Sequence, residues 1–270
     1  LMLLVLFGIG AALLFQEQIG ERHFAGAVET AVARDVIGDL PDGMPVAPGG
    51  SGSPPPDPTR AGPCSAVIID GKMFIVDIGG GAVRVLGLMG LNPGATEALL
   101  LTHFHSDHID GMGELMLQRW AGGGRDTPLP VIAPEGVEAI VDGLNAAYAA
   151  DVQYRIAHHG EATMPASGAG GAAQPFTFPD GQDQMVVYHQ DGIRITAFSV
   201  AHKPISTAVG YSFDYEGRAI VLSGDTVKLP LVAKACNGCD LLVHEVLNAE
   251  MGGTVEAEFE KVGRKRLEHI

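Results

Sequence analysis

The chain has 270 residues, 46% hydrophobic and 18% charged, which describes a globular protein with ample core in one large domain or one domain plus a tail. With 17 Lys and Arg against 32 Asp and Glu, the formal net charge is −15, a field that repels polyanions and disfavours nucleic acid as a partner. The 37 glycines and 17 prolines indicate many turns and argue against a helical bundle.

The run from Leu1 to Phe15 is apolar residues and glycine throughout. It is short for a membrane span and suits a signal peptide or an N-terminal membrane anchor within residues 1–20, which places the protein outside the cytoplasm. A start at Leu1 and a stop at Ile270, just after a charged segment, read as truncations at both ends. Glu21 to Leu40 has helical spacing with a polar face. Pro41 to Pro63 is rich in Pro, Gly and Ser, so residues 21–63 read as a polar helix followed by a linker.

The ordered domain is expected over residues 64–270. Ala66–Ile69 and Met73–Val76 flank Asp70-Gly71, a strong hairpin signal. Asp77, at the end of the second strand, reads either as a hydrogen-bonding brace for a neighbouring loop or as the N-cap of a helix from Ala82 to Met89. The apolar strand Ala98 to Leu101 then runs into Thr102-His103-Phe104-His105-Ser106-Asp107-His108, followed by a helical pattern from Glu114 to Trp120. Three imidazoles and a carboxylate on a strand-to-helix loop suit a Zn, Mn or Fe site.

A strand from Pro130 to Ala133 and a helix to about Tyr148 come next. His158-His159 reads as surface decoration, and Gly160 to Gln174 as a flexible Gly/Ala/Ser loop. Strands follow at 184–188, 193–200, 210–215, 218–223 and 240–243, with a helix from Pro230 to Cys236. Three further polar residues stand at strand ends: His202, Asp225 and His244. If these strands share a sheet edge, their side chains converge with the His loop on a metal site. Cys236 and Cys239 read as an unbonded pair at a helix end, with a short disulfide as the alternative in an exported protein.

Four pieces in order, Asp77-Ile78-Gly79-Gly80-Gly81, the His loop, Ala201-His202 and Ser223-Gly224-Asp225-Thr226, make the chain resemble the metallo-β-lactamase superfamily. His202 followed by Gly210-Tyr211, Gly224-Asp225-Thr226 and His244-Glu245 make it most similar to the ribonuclease Z and arylsulfatase branch. The resemblance covers about Ala66 to Val246. It implies an α+β fold, a four-layer αββα sandwich, with two divalent metal ions, zinc first and Mn or Fe as alternatives. It assigns His103, His105 and His202 to one ion, Asp107 and His108 to the second, and Asp225 to a bridge between them. It also implies that Asp107 orients a metal-activated hydroxide, and that His244 protonates the leaving oxygen or stabilises transition-state charge. One departure is visible: the superfamily supplies a last histidine after a late apolar strand, and nothing after Val246 reads so. That ligand is expected beyond Ile270, with the second ion bound weakly in this chain; His269 is not assigned.

The expected activity is hydrolysis of a small phosphodiester, sulfate ester or related ester. A ribonuclease Z-like tRNA 3′-processing endoribonuclease is the second reading, and an inactive membrane-tethered metal-binding module the third. Against RNA stands the segment from Ala121 to Val200, where Arg125, Arg155 and Arg194 face nine acidic residues. The expected partners are a small-molecule ester, the membrane through the N-terminal segment, and a second copy in a homodimer; nucleic acid is not expected.

Overall fold

The computed structural model describes residues 13–33, 36–54, 57–246 and 248–261. Two mixed sheets lie face to face. The first has six strands in sequence order: β1 (Val46–Gly50), β2 (Cys64–Ile69), β3 (Lys72–Val76), β4 (Thr96–Leu100), β5 (Leu129–Pro134) and β6 (Gly171–Phe176). The second has five, β7 (Gln184–Gln190), β8 (Ile193–Ser199), β9 (Val209–Tyr215), β10 (Arg218–Leu222) and β11 (Leu241–Val243), with β11 and β7 at its two edges.

Period-two alternation decides which face each side chain serves. Val67, Ile69, Phe74, Val76 and Leu100 point inward and meet Ile193, Ile195, Tyr211, Phe213 and Leu222 of the facing sheet. The other face of the first sheet, with Ile68, Ile75, Leu99 and Val131, is covered by the helices α2 (Ala82–Leu88), α4 (Met112–Gly123) and α5 (Val137–His159). Behind the second sheet, Phe198, Val200 and Val221 pack on α6 (Pro230–Ala235) through Val232. Burial on both faces explains why β2 to β5 are nearly continuous apolar runs. Helix, sheet, sheet, helix is the expected αββα order. The remaining helices are α1 (Gln16–Ala33), the single turn α3 (Ser106–Ile109) and α7 (Ala249–Lys261).

Strand direction fixes where the chemistry can sit. β3, β4 and β5 run parallel, so Asp77 and the His loop leave the first sheet at the same edge. β8 and β10 are both antiparallel to β9, and β11 is parallel to β10. Their carboxyl ends therefore deliver His202, Asp225 and His244 to one edge of the second sheet. The hairpin turn Asp70-Gly71 has positive φ at both positions (49° and 72°), the type I′ geometry that the Asp-Gly pair announces.

Four expectations need correction. The segment 41–63 is no mere linker: β1 lies inside it, antiparallel to β2, so the sheet starts at Val46 rather than near Cys64. α5 does not stop at Tyr148 but continues to His159. No Gly or Pro interrupts residues 148–159, Asp151 pairs with Arg155 one turn on (2.7 Å), and Gly160 with φ 81° ends the helix. Gly160 to Gln174 is not all loop, because β6 occupies its end and pairs in parallel with β5. Glycine is a packing requirement just before it: a Cβ on Gly168 would stand 1.7 Å from the Arg125 carbonyl oxygen. Finally, Cys236 and Cys239 are joined in a disulfide. Of the expected N-terminal anchor, Leu1–Ala12 lies outside the described residues. Among the described residues no helix is long and apolar enough to cross a membrane.

Asn145 of α5 ties β6 to the helix layer. Its amide nitrogen donates to the Gly171 carbonyl and its oxygen accepts from the Gly171 N–H, both at 2.9 Å. Removing both partners leaves two part-buried backbone groups unpaired. Asn145→Ala is therefore expected to cost about 1–3 kcal/mol in urea unfolding, with faster hydrogen exchange at Gly171. An unchanged midpoint and unchanged exchange would mean that the edge strand is not held this way.

Candidate metal centre

The His loop is built around one buried carboxylate. Asp77 follows β3 with φ 56°, a left-handed conformation that Asp tolerates better than most side chains, and it is 5% exposed. Its Oδ1 accepts from the Thr102 N–H (2.8 Å); its Oδ2 accepts from the Thr102 hydroxyl (2.8 Å) and from His108 Nδ1 (2.9 Å). The brace reading of Asp77 is thus the one the structure has. α2 instead has Gly81 as its N-cap, with no side-chain capping bond.

These bonds set the tautomers. Thr102 gives its one hydroxyl proton to Asp77, so at 3.0 Å it must accept from His103 Nδ1. His103 Nε2 is left as an open lone pair. His108, with Nδ1 committed to Asp77, likewise turns Nε2 outward, 3.6 Å from Asp225 Oδ1 and 3.7 Å from Asp107 Oδ2. A carboxylate that fixes the far nitrogen of a ring is the usual way a metal-binding histidine is oriented.

Three ring nitrogens then meet. His103 Nε2 lies 2.9 Å from His105 Nδ1, which lies 3.2 Å from His202 Nε2. A tetrahedral ion with bonds of about 2.05 Å spaces its donors by roughly 3.3 Å. The trio fits a divalent cation without rearrangement of the backbone. A second set, His103, His108 and Asp225, also brings its donor atoms within 4.8 Å of one another. His103 and His108 are buried, Asp225 half-buried and His105 exposed, so the centre opens to solvent on the His105 side.

Burial and mutual charge act together on these groups. Burial and the neighbouring His108 push the His103 imidazolium down to about 3. Burial also opposes charge on His108, but the Asp225 and Asp77 carboxylates outweigh it and raise that ring to about 10. Asp225 is burdened by burial and still held below the usual carboxylate range by His108, His103 and His202.

Backbone contacts hold the loop from both sheets. Ile78 N–H donates to the His108 carbonyl (2.9 Å) and Gly111 N–H to the Ile78 carbonyl (2.8 Å). The glycines after Asp77 are needed for this: a Cβ on Gly79 would stand 2.2 Å from the Asp107 carbonyl oxygen. From the facing sheet, Val209 N–H donates to the Thr102 carbonyl (2.9 Å), and the buried Tyr211 hydroxyl to that of Leu101 (2.7 Å). Thr102 and Tyr211 stand within the recognised motifs, yet nothing in their spacing announced these bonds. The Asp225 segment is fastened as well. Thr226 N–H donates to the Glu245 carboxylate, and the Thr226 hydroxyl accepts from Ala201 N–H (3.2 Å) beside His202.

Of the seven singled-out residues, His103, His105, His108, His202 and Asp225 form the two donor sets. Asp107 stands beside His108 but belongs to neither. His244 lies apart and exposed, its Nδ1 2.7 Å from the Glu245 carbonyl, on the wall of a groove of about 1180 Å³ that it shares with His202. His158 and His159 end α5, exposed and in neither donor set. His269 lies outside the described residues.

A family profile described as "Beta-lactamase superfamily domain" matches residues 89–261, a span that holds every candidate ligand but begins after Asp77. Ribonuclease Z of Mycobacterium avium (strain 104) is 35% identical over 208 residues, 76% of this chain and 71% of that protein. Ribonuclease Z of Mycobacterium marinum is 34% identical over 204 residues, 75% of this chain and 70% of that one. Among solved structures, human tRNase Z, short form, superposes with a TM-score of 0.58 at 20% identity, covering 75% of this chain and 78% of that one. The metallo-beta-lactamase fold protein YhfI from Bacillus subtilis gives 0.52 at 18% identity, covering 75% and 70%. At these identities the two structures speak for the fold.

Asp77→Ala removes the orienting acceptor of His108 and, through Thr102, of His103. We expect divalent-metal affinity to fall about 10–100-fold, measured by competition with a chromophoric chelator. Thr102→Val, which keeps the shape and loses the hydroxyl's bonds to Asp77 and His103 but leaves the Asp77–His108 bond, is expected to give a smaller loss. Wild-type affinity in Asp77→Ala would show that the ligands are positioned without it.

Proposed function

From a chain that belongs to the beta-lactamase superfamily, in its ribonuclease Z branch, and is a metallo-hydrolase of that fold, we propose an endoribonuclease that hydrolyses a phosphodiester bond near the 3′ end of precursor tRNA. One observation carries the reading: identity of 35% to a ribonuclease Z across about three quarters of both chains. The site supports it. The centre is exposed on its His105 side and continues into a groove rather than a closed cavity, so a polymer can thread past it.

His103, His105 and His202 would hold one divalent ion, and His108 with Asp225 a second; zinc is the first choice for this His-rich set. Such ions, when bound, supply an activated water and positive charge against the charge that develops on phosphate. The chain's own groups do the rest. Asp107, half-buried beside His108, is placed to accept the proton of the attacking water. His244 gives its Nδ1 proton to the Glu245 carbonyl and stands on the groove wall, so it would protonate the leaving oxygen from Nε2 as the imidazolium, returning to the neutral Nδ1–H ring. Asp77 and Thr102 touch no substrate; they position His108 and His103.

A small-ester hydrolase working outside the cytoplasm is the second reading. It is supported by the net charge of −15 and by the apolar run from Leu1 to Phe15, which would serve export or membrane attachment. A precursor tRNA and bis(4-nitrophenyl) phosphate, offered side by side to metal-reconstituted protein, separate the two. Endonucleolytic cleavage of the RNA at its 3′ junction is expected, lost with chelator and regained with zinc. Hydrolysis of the aryl diester with intact RNA would instead favour the small ester. Asp107→Ala is expected to lower the RNA cleavage rate about 10²–10⁴-fold with circular dichroism unchanged. A variant as fast as the wild type would remove Asp107 from the proton transfer.

A further inference from the structure

The surface beside the metal centre does not share the charge of the whole. In a chain with almost two acidic residues for each basic one, the groove next to His202 is lined by two lysines, Lys203 and Lys228, and by a single carboxylate, Glu245. That carboxylate is engaged by the Thr226 N–H. Among the described residues neither lysine forms an ion pair, although the protein's acidic excess offers many partners. Both side chains are exposed. Each is tied to the centre by chain geometry: Lys203 follows His202 directly, and Lys228 comes three residues after Asp225, within about 11 Å of it at full extension. Their backbones are fixed too, since Ala201 N–H donates to the Thr226 hydroxyl and Val227 N–H to the Ala201 carbonyl (3.0 Å).

We infer that Lys203 and Lys228 form a cationic lip that receives the phosphates flanking the scissile bond. This rests on the endoribonuclease reading and deepens it, since a polyanion needs such a lip and a neutral ester does not. Elsewhere the groove wall is aliphatic, with Leu229, Pro230, Leu242 and Val246, and suits the sugar and base faces of a nucleotide between its phosphates. The lip also resolves a conflict within the molecule. A net charge of −15 opposes RNA at long range, but at 0.15 M salt fields decay over about 8 Å, so two unpaired ammonium groups beside the centre dominate there. Binding then depends on a few local contacts, with a correspondingly shallow salt slope.

The test measures binding and cutting separately, on the metal-loaded full chain. The ligand is a fluorescent precursor tRNA with a phosphorothioate at the junction, followed by anisotropy between 50 and 200 mM KCl; cleavage uses the unmodified transcript. Lys203→Ala and Lys228→Ala are each expected to weaken binding and to lower the salt slope by about one unit. Across that fourfold salt range, each lost contact corresponds to roughly threefold less salt sensitivity. Lys203→Arg and Lys228→Arg should restore the slope. Lys234→Ala, on the same helix layer but away from the groove, should leave it unchanged. Cleavage by the wild type with the slope unaltered in both alanine variants, or with the same loss in Lys234→Ala, would overturn the lip and leave the endoribonuclease reading standing. Lysine-dependent binding without cleavage would keep the lip and remove that reading. A wild type that does not bind the transcript would overturn both.

Discussion

A single carboxylate, buried where the first sheet ends, governs this structure. Asp77 buries both its carboxyl oxygens where unpaired polar atoms would be costly, and it is stable there because three donors converge on it: the Thr102 amide, the Thr102 hydroxyl and His108 Nδ1. The consequence runs outward. To reach those donors the strand-to-helix loop must fold back over the end of β3, which demands glycine where the two backbones touch. Once folded back, His103 and His108 have one nitrogen each committed and the other free. One acid thus sets the orientation of a ring in each donor set.

The two sheets finish the construction. Loops at strand ends normally pay an entropic cost for order, which here is offset by bonds from the opposite layer. Tyr211 and Val209, on β9, reach across to the carbonyls of Leu101 and Thr102. The same sheet delivers His202 and Asp225 at the ends of β8 and β10. A site divided between two layers is only as precise as their packing, and the inter-sheet core of Phe74, Leu100, Tyr211 and Phe213 lies directly behind it. Chemistry and core therefore share residues. Lys203 and Lys228 stand beside the same strand ends.

Much of this was legible in the sequence, and the reasons are local. The Asp70-Gly71 hairpin signal, the apolar runs of the buried strands and the His loop all express short-range rules, and the resemblance they carry implies the αββα order and the convergence of His103, His105, His108, His202 and Asp225. What stayed hidden depended on distant partners. β1 looks like a linker because Pro48 and Gly50 disguise an edge strand, which becomes one only by pairing with β2. β6 looks like low-complexity loop because its small residues become a strand only by pairing with β5 and bonding to Asn145 of α5. Asp77 had two equal readings until Thr102 and His108 were seen around it. The full extent of α5 needs no distant partner: between Tyr148 and Gly160 there is no Gly or Pro to stop the helix.

The central claim is that Asp77 and the converging strand ends prepare two adjoining donor sets for divalent ions. Its most direct test is a crystal of the zinc-reconstituted protein, with anomalous diffraction recorded above and below the zinc edge. The account predicts one peak among His103 Nε2, His105 Nδ1 and His202 Nε2, and a neighbouring one against His108 Nε2 and Asp225, with both Asp77 oxygens still bonded as described. Zinc found elsewhere on the chain, with these side chains ordered and empty, would contradict it.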